Sequence, residues 1–188
     1  MRRLSANTDR VLEIFAAAPW RLDALRAVAA LGLPDCWVAA GFLRNPIWDR
    51  LHGFTAPTPL NDIDVVFFDP EDRSKSRDQA LEAELRTLSP GLPWSLRNQA
   101  RMHLINGDRP YTSTEDALRH WLETVSAVGI RMTDAGSLEL LAPFGFDDVF
   151  ALTVRPTPHA QDLRPAAYRA RMARKDWPAT WPQVTVFT

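Results

Sequence analysis

The chain has 188 residues, enough for one ordinary domain, or one domain with an appendage, and enough to bury a core without covalent staples. Its formal net charge of -1 supplies no global field for nucleic acid or membrane, and its single cysteine, Cys36, excludes an intramolecular disulfide and a cysteine-based zinc site. No uncharged apolar run reaches membrane-spanning length, and Glu13 interrupts the N-terminal apolar run that a signal peptide would need, so a reducing cytoplasm is the expected location.

In chain order, residues 8–17 (TDRVLEIFAA) predict a short helix with Thr8 as N-cap, and 20–31 a second helix ended by Gly32 and Pro34. CWVAAG (36–41) suits a buried strand, and a helix from Phe42 to His52 follows at once. After a proline-rich loop, NDIDVVFFD (61–69) reads as a second strand, 76–88 as an exposed amphipathic helix, and WSLRNQ (94–99) as a third strand. NGD at 106–108 signals a turn. YTSTEDALRHWLETV starts a helix, with Thr112-x-x-Glu115 resembling a capping box and Ser113 as a second N-cap candidate. Residues 129–143 alternate around Asp134-Ala135-Gly136 as a hairpin does, 145–152 suit a short helix, and 162–175 a basic helix. Strands alternate with helices in the first half. The expected fold is therefore α/β (α+β), a mixed sheet flanked by helices. We read residues 1–188 as a single domain with a helical N-terminal segment, 8–31, and a basic helical C-terminal segment, 162–188. Seven tryptophans and fifteen prolines in so apolar a chain point to anchored loops rather than disorder.

Asp62 and Asp64 carry the strongest chemical signal. One residue apart on a strand, they face the same way, and like charges so placed repel unless a cation sits between them. Paired carboxylates are the hard oxygen ligands that Mg2+ prefers, with substrate phosphates completing the shell, and two such ions can clamp both oxygens of a phosphoryl transfer. The plainer alternative is a strand-initiating turn residue, Asp62, beside an arginine-paired Asp64. Upstream, Gly41 stands at a strand-to-helix turn, where backbone approaches a phosphate closely and the helix N-terminus offers free N–H groups. Arg44 in the first turn adds a charge-assisted contact.

This order of strand, glycine, helix, and strand with paired aspartates resembles the nucleotidyltransferase superfamily that includes DNA polymerase beta. VAAGFLRNPIWDRLHG, NDIDVVFFD, WSLRNQARMH, NGDRPYTSTEDALRHWLETVSAVGIRM and LLAPFGFDDVFALTVRPTP together look like one bacterial family described as nucleotidyltransferase-like, from about residue 10 to the end. The resemblance implies a nucleotidyltransferase-like fold and transfer of a nucleoside monophosphate from an NTP to a hydroxyl acceptor. It also implies Mg2+ as cofactor, with Mn2+ as substitute, held by Asp62 and Asp64 as catalytic and metal residues. Gly41, Phe42, Arg44, Asn45, Asn98, Arg101 and His103 would then bind nucleotide. The sequence departs from the active pattern in three places. Phe42 stands where a small residue is usual, the gap from Gly41 to Asp62 is long, and WSLRNQ lacks the third acid. Asn98 or Ser95 stands at that position, and Glu139, Asp147 or Asp148 are the acids elsewhere that could replace it. Asp147 reads more simply as a helix N-terminal acid.

Arg97, Asn98, Gln99, Arg101 and His103 form a polar cluster read either as a wall of the same cleft or as a dressed edge strand. His103 is an acid–base candidate, whereas His52, His120 and His159 are separated and form no ligand pattern. The run Arg164 to Lys175 is expected to be a solvated basic face, with contact to the phosphates of a nucleotide or of RNA as the alternative. Trp121, Trp177 and Trp181 are expected anchors. Three functions remain open: a metal-dependent nucleotidyltransferase, a non-catalytic nucleotide- or protein-binding relative, and an RNA-associated accessory protein.

Overall fold

The computed structural model describes residues 6–188. Helix α1 (Ala6–Ala16) contains Thr8 within its first turn rather than at its cap. Helix α2 (Pro19–Ala30) opens on a proline, whose fixed φ suits a first helical position. Strand β1 (Trp37–Ala39) and helix α3 (Gly41–Leu51) follow, then strand β2 (Ile63–Phe67). Helix α4 (Lys75–Leu88) is capped by Ser74, whose hydroxyl accepts from the Arg77 amide at 3.3 Å. It crosses to strand β3 (Trp94–Asn98). A 3-10 turn (Gln99–Arg101) leads into α5 (Met102–Asn106), which ends on left-handed Gly107, where the NGD signal predicts a turn.

Helix α6 (Thr114–Arg119) is capped by Ser113, not Thr112: the Ser113 hydroxyl accepts from the Asp116 amide at 3.0 Å. The helix stops well short of the predicted run because 121–124 is claimed by a distant segment. The Thr124 amide donates to the Arg155 carbonyl at 3.1 Å, and the Thr157 hydroxyl donates to the Trp121 carbonyl at 2.6 Å. The predicted hairpin is present as β4 (Gly129–Met132) and β5 (Leu138–Leu141). Then come α7 (Asp147–Phe150) and β6 (Thr153–Val154). The basic helix predicted over 162–175 is α9 (Pro165–Arg174), and a further short helix, α8 (Pro158–Leu163), precedes it. Pro165 has no N–H to continue α8 and restricts Arg164 before it. Helix α10 (Trp177–Thr180) and strand β7 (Thr185–Val186) close the chain.

The main sheet is mixed, in the order β3-β2-β1-β4-β5, with β2 and β3 parallel and the other pairs antiparallel; β6 and β7 form a separate parallel pair. Strand alternation assigns its faces. Val38, Ile63, Val65 and Phe67 join the main core with α1 to α4, whereas Trp37, Ala39 and Val66 join a smaller cluster with Leu118 of α6. Asp64 alternates with Val66, so its side chain stands on the smaller cluster's side, at the strand end. Among the described residues, no helix is long and apolar enough to cross a membrane.

Candidate functional site

A cleft of about 710 Å³ opens where β1 hands over to α3 and β2 begins, and helices α9 and α10 form its opposite wall. The handover is strained. Ala40 takes φ 52 and ψ −120, a conformation that a residue with a Cβ rarely adopts. Its amide donates to the Val128 carbonyl at 2.9 Å, and its carbonyl accepts from Leu43 and Arg44 at 3.1 and 2.9 Å. Helix α3 therefore starts abruptly at Gly41, without a side-chain cap, and Gly41 itself lines the cleft.

Arg44 and Asn45 of that first turn, together with Gly41, line the cleft. Arg44 is 6% exposed and lies against two indoles, with its guanidinium carbon 4.9 Å from the Trp48 ring centroid and 4.8 Å from that of Trp177. It donates to the Ser126 hydroxyl at 3.2 Å and to Asn45 Oδ1 at 2.9 Å, and its Nε has no partner. Among the described residues it forms no ion pair. Burial pulls it down to about 10; Glu123 pulls the other way most strongly, Arg171 adds to the lowering, and Asp64 and Asp62 oppose it. It remains a cation at neutral pH, buried and short of an anion.

Asp62 and Asp64 both line the cleft, as alternation along the strand requires. Asp62 is exposed and Asp64 half-buried. Burial, then the charge of Asp62, pushes the Asp64 carboxyl up to about 6, against the pull of Arg171, Lys175 and Arg44. The pair fits a single Mg2+, which is commonly held by one or two carboxylates with phosphates and water completing the shell. Among the described residues no group of three or more metal-ligating side chains occurs. Ser95 pairs in register with Asp64 across β2 and β3, so the residue beside Asp64 on the neighbouring strand is not an acid.

The basic run is not simply a solvated face. Arg171, Arg174 and Lys175, at helical spacing i, i+3 and i+4, line the cleft, as does Arg164. Arg171 is held by Glu123, a carboxylate 1% exposed whose Oε1 accepts from the arginine Nε. Glu123 and Ser126 also line the cleft; neither stands out in the sequence, Glu123 falling inside the predicted helix and Ser126 just beyond it. The i, i+3, i+4 spacing of the basic residues was the readable sign for α9.

Other expected residues stand elsewhere. The Phe42 side chain is fully buried against Phe15 and Trp20, so its bulk fills core rather than cleft. Asn98, Arg101 and His103 do not line the cleft. Asn98 is fully buried and ties the β2–α4 loop, accepting from the Asp69 amide at 3.1 Å and donating to the Asp69 and Asp72 carbonyls at 2.8 and 3.0 Å. Arg101 pairs with buried Asp78 at 2.5 Å, and His103 packs against Tyr111. The acids that could have replaced the missing one are engaged away from the cleft: Glu139 with Arg131, Asp148 with Arg155, and Asp147 with Asn7.

The mixed sheet, the uncapped helix start and the paired carboxylates define a nucleotidyltransferase-type fold. The nucleotidyltransferase family matches residues 26–186, and the chain belongs to that family. It is similar to a solved structure described as revealing a CCA-adding enzyme head domain, with 35% identity and a TM-score of 0.85, over 96% of this chain and 95% of that one. At 13% identity and a TM-score of 0.58 it shares the fold of a CCA-adding enzyme in complex with CTP, covering 96% of this chain and 43% of that one. At 16% identity and a TM-score of 0.55 it shares the fold of a tRNA-processing enzyme, over 87% and 43%. The chain thus spans less than half the length of these last two. No curated protein matches it.

Proposed function

We propose that this chain is a metal-dependent nucleotidyltransferase that moves a nucleoside monophosphate from an NTP to a hydroxyl acceptor. One observation supports this reading above the others: a single cleft sets Asp62 and Asp64 against buried, anion-free Arg44 and the basic residues of α9. Such a polarised cleft suits a metal–triphosphate, with the metal at the aspartates and the phosphates at the cations.

Asp62 and Asp64 would hold one Mg2+, or Mn2+ in its place. When bound, the ion neutralises phosphate charge and orients the α-phosphoryl group. The chain's own residues supply the remainder. The Gly41 amide at the start of α3 meets a phosphate oxygen, and Arg44 gives a planar fork already desolvated by its two tryptophans. Arg171, kept in place by Glu123, and Arg174 and Lys175 screen the negative charge that leaves with pyrophosphate. Catalysis then comes from positioning and charge neutralisation. The CTP complex of a protein of the same fold supports an NTP as donor, and the tRNA-processing relatives make an RNA 3′-hydroxyl an acceptor to try first.

A second reading, a non-catalytic nucleotide-binding member, draws on Ser95, the residue in register with Asp64 on β3, not being an acid. Calorimetric titration with each of the four NTPs, with and without Mg2+, tests the site. Metal-dependent binding lost in Asp62→Ala/Asp64→Ala is the expected result, and no binding by the unaltered chain would sink both readings. Binding without pyrophosphate release on any acceptor would favour the second.

A further inference from the structure

Three of the four histidines, far apart in sequence, meet beside the cleft. The rings of His103 and Tyr111 lie 6.0 Å apart, those of Tyr111 and His120 4.9 Å, and those of His120 and His159 4.5 Å. Behind them Asp108 accepts from the Tyr111 hydroxyl with one oxygen, and its other oxygen lies 2.9 Å from His159 Nε2. Of these histidines, only His120 lines the cleft.

His120 is oriented for one task. Its Nδ1 lies 2.7 Å from the Asp116 carbonyl oxygen, which can only accept. Nδ1 therefore carries the hydrogen, and in the neutral ring Nε2 keeps its lone pair. Among the described residues Nε2 has no hydrogen-bond partner, and it is not sealed away from solvent. The ring cannot swing freely, being packed between Tyr111 and His159.

The cleft needs such a group. Asp62 and Asp64 are assigned to the metal, Glu123 is bound to Arg171, and Ser95 stands beside Asp64 on the neighbouring strand. Asp176, the remaining cleft carboxylate, is exposed, and nothing among the described residues holds it in one orientation.

Resting on the nucleotidyl-transfer reading, we propose that His120 Nε2 is the base that takes the proton of the acceptor hydroxyl. The hydroxyl oxygen forms its bond to the α-phosphorus, and the bond from that phosphorus to the bridging oxygen breaks. The electron pair of the broken bond leaves on pyrophosphate. The hydroxyl proton passes to Nε2, and the imidazolium keeps its Nδ1–H on Asp116 until the proton is lost to water. The groups that tune this ring are Tyr111 from the segment before α6, His159 of α8 with Asp108 behind it, and the Asp116 carboxylate, 4.0 Å from Nδ1 and itself paired with Arg109. Arg164 lines the same cleft.

The test uses the full chain and His120→Asn, whose side-chain amide can keep the bond to the Asp116 carbonyl but has nothing at the Nε2 position. Pyrophosphate release is followed from each NTP with Mg2+ and an oligoribonucleotide bearing a free 3′-hydroxyl, across pH 5.5 to 9, with nucleotide affinity measured alongside. The expected result is a loss of about 10²- to 10⁴-fold in kcat. Nucleotide affinity should stay within about twofold, and on the acid side of the pH–rate profile only the fall that Asp64 sets near pH 6 should remain. An unchanged profile, or nucleotide binding by the unaltered chain without any pyrophosphate release, overturns the role of His120 and leaves the nucleotide site standing. Absence of nucleotide binding overturns both. A readout independent of turnover is the nitrogen NMR of His120 in the unaltered chain. Nε2 is expected unprotonated and shifted by Mg2+–nucleotide; a proton on Nε2 rather than Nδ1 overturns the proposal whatever the variant does.

Discussion

Arg21 Nη1 donates to the Phe42 carbonyl at 2.6 Å, 21 residues along the chain and wholly inside the protein. The bond answers a local defect. Pro46 lies inside α3 and has no N–H to give to the carbonyl four residues earlier, which is that of Phe42. A guanidinium from α2 takes the place of the missing helix bond, and so secures the turn of α3 that bears Gly41 and Arg44. Arg21→Met should leave that carbonyl unpartnered and cost about 1–3 kcal/mol in denaturant unfolding. In a Pro46→Ala background the restored amide can satisfy the carbonyl, so the same substitution should cost about 1 kcal/mol less. Equal costs in the two backgrounds would refute the account.

Arg44 is buried with no carboxylate against it, so its charge burdens the fold unless an anion arrives. Arg44→Met should keep or raise the melting temperature while weakening Mg2+–NTP affinity at least tenfold, since a charge-assisted bond contributes about 1.5–3 kcal/mol. A variant that melts lower and binds normally would make Arg44 a structural residue.

Asp64 is raised to about 6 by burial and by Asp62. With no cation present, holding it ionised at neutral pH costs stability. Asp64→Asn should therefore stabilise metal-free protein by on the order of 2 kcal/mol or less, given its partial exposure, and so raise its melting temperature. Mg2+ with nucleotide should stabilise the unaltered chain and leave the variant unmoved. Thermal melts with chelator, and with Mg2+–NTP, check both arms.

Ala40 holds φ 52, where glycine has no Cβ penalty. Ala40→Gly should gain about 1 kcal/mol of stability by releasing that strain. The looser start of α3 should weaken nucleotide binding in the same samples. A loss of stability would show that the turn is not strained by its side chain.

Burial, and then the charge of Asp35, pushes the Cys36 thiol up to about 12 from its ordinary 9.0, against smaller opposing effects of Arg131 and the Trp37 amide. The folded state thus keeps a proton that the unfolded chain gives up. Its contribution to stability is complete below pH 9 and is lost as pH rises towards 12. Over that window the unaltered chain should lose stability more steeply than Cys36→Ala. At pH 8 the native thiol should react with a thiol reagent far more slowly than the denatured one. Equal slopes and rapid labelling would show the group to be open to water.

Several features were legible in the sequence because they are local. The period of two in NDIDVVFFD put Asp62 and Asp64 on one side of a strand, Gly41 marked the strand-to-helix turn, and alternation around Asp134-Ala135-Gly136 marked the β4–β5 hairpin. Each pattern records how a segment buries its own face, and that much a sequence determines by itself. Which distant segment meets that face is decided only when the chain closes. Trp121 to Thr124 left a helix to bond with residues 155–157, which brought Glu123 to Arg171. Asn98 ends the strand beside Asp64 and Arg101 and His103 follow it, yet their side chains found partners in Asp69, Asp78 and Tyr111 and left the cleft. Their places were taken by α9 and His120, groups more than 50 residues from Asp64, because a cleft is assembled from through-space contacts that no local period encodes.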